Sequence, residues 1–200
     1  MHKGRLEAFS DGVFAIIITI MVLEFKAPSD PNLSALRPMS GAFLSYVLSF
    51  TYVAIYWNNH HHMLQASRRV SGRVLWANMH LLFWLSTVPF VTQWMGATGF
   101  APVPVAAYGV ALLMAGCAYY LLAQALLACH EPDGPLAKAI GNDRKGKLSL
   151  VIYAIAIGMA FVEDRISGAL YGLVAAMWLI PDLRIERELT NGKGPHPGHG

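Results

Sequence analysis

Charged side chains are scarce in this sequence of 200 residues. Aspartate, glutamate, lysine and arginine make up 14% of it, whereas a soluble domain carries about a quarter. Apolar residues reach 55%, and the mean hydropathy is +0.43. This balance is typical of a chain that lies in lipid. We therefore expect an all-α integral membrane protein and neither a soluble enzyme nor a nucleic-acid-binding protein.

Cysteine is nearly absent as well. Cys117 and Cys129 both lie in apolar surroundings and imply neither a disulfide framework nor a metal cluster. A cleavable signal peptide is not expected, because the first apolar run is too long and contains Asp11 and Glu24. The sequence also shows no internal repeat and no connection long enough for a soluble domain.

Six apolar segments are candidates for helices across a hydrocarbon core of about 30 Å. The predicted spans cover residues 8–25, 40–64, 74–94, 103–129, 148–162 and 167–180. The last two are short and are joined by a tight turn, which predicts a helical hairpin. The sequence thus predicts a transmembrane domain over residues 1–182 and a polar cytoplasmic tail over residues 183–200.

The basic residues are distributed unevenly between the two ends of these spans. Of the 15 lysines and arginines, all but Lys26, Arg37 and Arg165 fall in the termini, the second–third loop or the fourth–fifth loop. With six spans these segments share one side of the membrane, and cationic segments stay in the cytoplasm. We expect a multi-pass protein of the plasma membrane with both termini inside.

The first span, within RLEAFSDGVFAIIITIMVLEF (residues 5–25), combines lipid-like and polar residues. At 100° per residue, one stripe of this helix collects Gly12, Ile16, Thr19, Ile20 and Leu23. Asp11 lies about 140° away from Ile16. An ionised carboxylate that faces lipid costs several kcal/mol, so Asp11 should face the protein interior.

Each of these features also has a purely structural explanation. Ser10 and Asp11 suit the N-terminal turns of a helix, where they can cap free N–H groups. Thr19 can bond the carbonyl four residues earlier. The stripe itself is equally compatible with helix packing, because the other faces are also apolar.

Further polar residues lie at membrane depth in the second and third spans. Three consecutive histidines follow Trp57-Asn58-Asn59, but they diverge by 100° each, whereas metal-binding pairs are spaced i, i+3 or i+4. No metal site is therefore expected. Asp11, His60 and Asn78 (with His61 as a further candidate) share a similar depth on three helices, which predicts a buried hydrogen-bonded cluster.

The segment Arg5–Gly12 fits the pattern R-x-x-x-F-S-D-G and opens a span that ends in Leu-Glu. Together with the W-N-N-H-H run that begins at Trp57, and the segment from Asn78 to Pro89-Phe90, it resembles the transmembrane-protein-175 family of potassium channels, in particular its small prokaryotic six-helix members. The similarity of layout covers essentially the whole chain.

The resemblance implies a homotetramer with one central pore lined by the first helix of each subunit. The T-V-G-Y-G filter of other potassium channels is missing from this sequence. The resemblance assigns the constriction to Ile16, Ile20 and Leu23, and cation preference to Thr19.

The same resemblance assigns inter-helix support to polar residues outside the stripe. It groups Ser10 and Asp11 with His60 and Asn78. Arg5 belongs either to this network or to the cytoplasmic pore mouth. It also implies that Phe9 and Trp57 pack beside the network.

These observations predict a potassium-permeable cation channel with modest selectivity, whose hydrophobic ring gates by dewetting. Its partners would be the lipid bilayer, potassium ions and its own copies, and no cofactor beyond permeant K⁺ is expected. Glu24 either raises the local cation concentration or is a plain interfacial residue.

Three other functions stay open at this point. A proton-coupled or other secondary transporter could use Asp11 and His60 as a relay, although no inverted repeat or broken helix pair is visible. A membrane enzyme could use the histidines. A structural oligomer with a sealed centre is the third alternative.

Overall fold

The computed structural model of the protein describes residues 3–67, 69–130, 134, 136–137 and 143–179. Its helices are α1 (Lys3–Leu23), α2 (Ser40–Ala66), α3 (Gly72–Ser86), α4 (Val88–Ala97), α5 (Pro102–Leu127), α6 (Arg144–Met159) and α7 (Asp164–Leu179), and a 3-10 helix over Leu33–Met39 leads into α2. The prediction of an all-α protein is confirmed for these ranges. The predicted tail, residues 183–200, and five of the basic residues used above lie outside them: Arg68, Lys138, Arg184, Arg187 and Lys193.

Four of the helical segments are long and apolar enough to cross a membrane. They are Lys3–Leu23, Leu33–Ala66, Gly72–Ala97 and Pro102–Leu127. Two other described helices, α6 and α7, have 16 residues each, or about 24 Å at 1.5 Å per residue. They form a hairpin in which Ser167 Oγ donates to Ala156 O over 2.8 Å.

The third predicted span consists of two helices, α3 and α4, that meet at Thr87. Pro89 has no N–H and therefore cannot bond the carbonyl four residues earlier. At the junction, Thr87 N bonds Trp84 O at 3.1 Å, the tighter three-residue spacing. Helical hydrogen bonding resumes when Val91 N bonds Thr87 O at 3.2 Å. Proline thus divides one membrane segment into two helices.

Contacts between helix ends define two sides of the bundle. α1 begins beside the end of α2, where Lys3 Nζ donates to Gln65 O at 3.1 Å, and α3 begins beside the end of α5, where Cys129 Sγ donates to Ser71 Oγ at 3.3 Å. We call this end of the bundle the basic side. Its described cations are Lys3, Arg5, Arg69, Arg73, Arg144, Lys145 and Lys147.

The interior consists of two apolar clusters, and α5 contributes to both. The first joins α1, α2, α3 and α5 around Phe14, Leu64 and Leu81. The second joins α2, α4, α5, α6 and α7 around a group of tyrosines. Because α1 contributes only to the first cluster, it lies at the edge of the bundle with one face packed.

Candidate functional site

The packed and unpacked faces of α1 point in opposite directions. The buried residues recur at helical spacing: Leu6, Ser10, Phe14, Ile17 and Met21. Phe14 is 1% exposed, whereas Ile16, two residues later, is 57% exposed and Leu23 is 78% exposed. The exposed face carries every member of the stripe: Gly12, Ile16, Thr19, Ile20 and Leu23. In the isolated subunit this stripe is therefore the less covered face of α1.

Thr19 is the polar residue of the exposed stripe. Its hydroxyl lies 3.0 Å from both Ala15 O and Ile16 O. The single proton is engaged by the helix's own carbonyls, which is the bonding expected of a threonine in a membrane helix. The hydroxyl oxygen consequently presents an acceptor, and not a donor, to whatever faces the stripe.

The buried face of α1 is tied to two other helices by three polar side chains. Asn78 Nδ2 of α3 donates to Ser10 Oγ at 3.0 Å, and the Asn78 Oδ1 atom lies 2.7 Å from His60 Nε2 of α2. Because Asn78 Oδ1 can only accept, His60 carries its proton on Nε2. Ser10 and Asn78 are 0% exposed and His60 is 1% exposed. We call these residues the Ser10–Asn78–His60 network.

Asp11 has a different partner from the one that the sequence suggested. Trp57 Nε1 donates to Asp11 Oδ1 at 2.9 Å, which makes a second bond between α1 and α2. The Trp57 ring also stacks on His61, with centroids 5.6 Å apart. Asp11 thus lies beside the Ser10–Asn78–His60 network and is not part of it.

Two further residues named from the sequence lie outside both sets of bonds. Arg5 is exposed, and within the described ranges the structure gives its side chain no hydrogen bond or ion pair. Phe9 is 50% exposed. By helical angle both lie close to the direction of Ile16, on the same side of α1 as the stripe.

The histidines do not converge on one point. His60 bonds Asn78, His61 Nε2 lies 2.8 Å from Gln65 Nε2, and His80 Nε2 accepts from Trp84 Nε1 at 2.9 Å. Over the residues that the structure describes, no group of three or more His, Cys, Asp or Glu could hold a metal ion. Asp11 and His60 bond separate partners. Within the described ranges no direct hydrogen bond joins these two residues, as a proton relay between them would require.

A second polar system, which the sequence reasoning missed, lies in the tyrosine cluster. Thr92 Oγ1 donates to Ser49 Oγ at 2.7 Å, and Ser49 Oγ donates to Tyr108 Oη at 3.1 Å. Tyr52 Oη donates to Tyr171 O at 2.6 Å. A signal for it was present, because α2 carries a polar row at alternating spacings of four and three residues: Ser45, Ser49, Tyr52, Tyr56 and Asn59.

Comparison with known proteins places these features in a family. A sequence model described as the endosomal/lysosomal potassium channel TMEM175 matches residues 5–89. This range contains the whole stripe, the Ser10–Asn78–His60 network and the Asp11–Trp57 pair.

Two relatives match over most of their length. A protein named potassium channel from Chryseobacterium sp. (strain P1-3) is 50% identical over 189 residues, which cover 94% of this chain and 98% of that protein. Another protein named potassium channel, from Streptomyces collinus, is 30% identical over 187 residues, or 87% of this chain and 90% of that protein.

The fold also matches a solved structure. The crystal structure of a lysosomal potassium-selective channel TMEM175 homolog from Chamaesiphon minutus aligns with a TM-score of 0.77 at 28% identity. The alignment covers 89% of this chain and 96% of that chain. The resemblance first seen in R-x-x-x-F-S-D-G is thereby confirmed at the level of the whole chain.

Proposed function

This chain belongs to the TMEM175 family of potassium channels, a family of multi-pass membrane channels and not of enzymes, and from that premise we propose that four copies form a passive potassium channel in the plasma membrane. In this proposal α1 of each copy lines one central pore. The observation that carries it is the division of α1 into a packed face and an exposed stripe. A pore helix must be held on one side and free on the other, as α1 is.

The composition of the stripe suits a gated pore. Ile16, Ile20 and Leu23 are apolar and exposed, and four copies of each around an axis make narrow rings. A narrow apolar ring cannot replace the hydration shell of an ion, so it is closed to ions until it widens. These rings are the proposed constriction.

Thr19 is the proposed selectivity element within this apolar stripe. Because its proton already bonds the Ala15 or Ile16 carbonyl, four Thr19 oxygens would face a passing cation as acceptors. Four side-chain hydroxyls form a less rigid cage than rings of backbone carbonyls. The expected preference for K⁺ over Na⁺ is therefore modest.

Among the described residues, the side-chain hydrogen bonds from α1 to other helices all lie in its basic-side half. The Ser10–Asn78–His60 network and the Asp11–Trp57 pair hold residues 10 and 11, whereas the stripe residues that would form the rings lie about 8–20 Å further along the axis. Beyond Asp11 the packed face is apolar, with Phe14, Ile17 and Met21. We propose that opening tilts this far half, while the polar bonds make the near half move together with α2.

The basic side would face the cytoplasm. Seven described lysines and arginines gather there (Lys3, Arg5, Arg69, Arg73, Arg144, Lys145 and Lys147), and cationic loops are retained on the cytoplasmic side. Arg5 then lies near the inner pore mouth and Glu24 near the outer one, where four carboxylates would raise the local cation concentration. The tail over residues 183–200 would be cytoplasmic.

The direct test is K⁺ flux from proteoliposomes with an apolar ring made polar. Ile16→Asn should wet the constriction and raise basal flux severalfold over the wild type. Ile155→Asn on α6 is a matched control, because Ile155 is 54% exposed and Ile16 is 57% exposed. We expect wild-type flux from this control.

Two outcomes would contradict the proposal. An equal leak from both variants would mean that the effect comes from asparagine in the membrane and not from a pore face. A wild-type K⁺ flux that stops when a protonophore collapses the proton gradient would identify coupled transport in place of a channel.

A further inference from the structure

A cavity of about 50 Å³ lies behind α2, on the side away from α1, between α2, α5, α6 and α7. Its walls include Tyr56, Asn59, Gly116, Tyr119, Leu150 and Trp178. A cavity of about 150 Å³ accepts benzene. By that proportion its enclosed volume holds roughly two non-hydrogen atoms. Because the cavity is partly open, a molecule of about three or four can extend into its mouth.

Several polar groups in the walls still have hydrogen-bonding capacity. The hydroxyls of Tyr56 and Tyr119, whose rings meet edge to face at 6.1 Å, have no hydrogen-bond partner in the part of the chain that the structure describes. Asn59 uses Nδ2 to bond Ile55 O at 2.8 Å, and no described residue donates a hydrogen bond to its amide oxygen. The cavity thus offers two donors and an acceptor within mainly aromatic and aliphatic walls.

The charge of the walls favours a neutral ligand. Asp143 is the one charged side chain among the described wall residues. Its carboxylate already caps α6, with Oδ1 accepting from Gly146 N at 2.8 Å. It disfavours an anion, and its capping role leaves it less available to a cation. A small uncharged molecule with one hydroxyl matches both the size and the free polar groups.

The same turns of α2 that form the cavity wall also hold α1. Tyr56 and Asn59 line the cavity. The residue that follows each of them makes a hydrogen bond on the side of α2 that faces α1 and α3: Trp57 bonds Asp11 of α1, and His60 bonds Asn78 of α3. Helical turns move as units, so a shift of α2 into the cavity would move the partners of α1. The cavity is the space into which such a shift would move α2.

We propose that the cavity behind α2 is a regulatory site for a small neutral alcohol, and that an occupant lowers K⁺ flux by removing the space into which α2 moves on opening. This regulatory role rests on the proposed function of α1 as the pore helix. Binding itself does not depend on conduction, and the two can be measured separately.

Binding is tested with 2-fluoroethanol as the probe, by ¹⁹F NMR on the purified full-length protein. The decisive variant is Gly116→Ala, whose Cβ would lie 2.8 Å from Leu150 Cδ2 and 3.6 Å from Tyr56 Oη. The new methyl group and the displaced leucine end would both enter the cavity. Gly172→Ala on α7 is the matched control, because its Cβ would meet nothing within 4 Å.

We expect saturable binding of 2-fluoroethanol to the wild type and to Gly172→Ala, and at least tenfold weaker binding to Gly116→Ala. Leu150→Ala enlarges the cavity and should shift the preference from ethanol to 1-propanol in competition with the probe. Absence of saturable binding to the wild type, or equal binding to Gly116→Ala, would overturn the site.

The regulatory role is tested by adding ethanol to the K⁺ flux assay. Flux should fall saturably in the wild type and in Gly172→Ala, and Leu150→Ala should respond more strongly to 1-propanol than to ethanol. Saturable binding without any change in flux would overturn the regulatory role and leave the channel proposal intact. A wild type that binds the probe and carries no K⁺ flux would refute the channel proposal instead.

Discussion

Asn78→Leu removes the residue through which α3 connects α1 to α2. Asn78 is 0% exposed, donates to Ser10 Oγ at 3.0 Å and accepts from His60 Nε2 at 2.7 Å. Leucine has a similar shape, so the substitution changes mainly the polarity of the position. It separates the hydrogen bonds of the network from its packing.

The expected loss of stability follows from what each former partner can do next. His60 is 1% exposed, and leaving its Nε2–H unpaired costs about 1–3 kcal/mol. The Ser10 hydroxyl can turn to a carbonyl of its own helix, so losing that bond costs only about 0.6 kcal/mol, the average for hydrogen bonds between membrane helices. Together the free energy of unfolding should fall by about 2–4 kcal/mol.

The measurement is reversible unfolding in mixed micelles with increasing SDS, followed by circular dichroism. Asn58→Leu is the matched control, because Asn58 is exposed on the same helix as His60, and its effect should stay within about 0.5 kcal/mol. A double-mutant cycle with Ser10→Ala should show a coupling of about 0.5–2 kcal/mol. Equal effects of Asn78→Leu and Asn58→Leu, or strict additivity in the cycle, would refute the reasoning.

Two further substitutions probe the stripe and the packing. Thr19→Val keeps the shape of the side chain but removes its oxygen, so the K⁺/Na⁺ permeability ratio from reversal potentials should fall toward 1. The control Thr19→Ser keeps the oxygen and should retain the wild-type ratio. An unchanged ratio in Thr19→Val would exclude Thr19 from selectivity. Gly96→Ala would place a Cβ 2.5 Å from Ser45 Oγ and 2.7 Å from Ala42 Cα, so SDS unfolding should show a loss of about 1–3 kcal/mol. Gly168→Ala, with nothing within 4 Å of its Cβ, should show none, and equal behaviour of the two glycine variants would contradict the close approach of α2 and α4.

Hydropathy and helical periodicity predicted much of the fold, because both follow from the local order of residues. The apolar runs predicted helices, and the angles along residues 5–25 separated Ile16 and Thr19 from Asp11 before any contact was known. The same angles could not say which side was packed. The burial of Phe14 and Ile17 resolved that question, because it depends on where α2 and α3 lie.

The identities of the hydrogen-bond partners were beyond the sequence for a related reason. Their positions along the predicted spans placed Asp11, His60 and Asn78 at one depth in the membrane. In the structure, His60 and Asn78 bond in a network with Ser10, whereas Asp11 pairs with Trp57. Partner choice depends on the rotation and crossing of neighbouring helices, to within the few tenths of an ångström that a hydrogen bond tolerates. Residue spacing along one helix does not contain that information.

The sequence by itself determined that this chain is a helical membrane protein, how its basic residues divide between the loops, and to which family its first span is similar. Only the tertiary structure decided that α1 is packed on one face, that the helix is interrupted at Thr87 before Pro89, and that a small cavity lies behind α2. The first group follows from local composition, whose effect on transfer into lipid adds residue by residue. The second arises from the fit of side chains between helices, where Gly116 and Leu150 leave space that no single segment reveals.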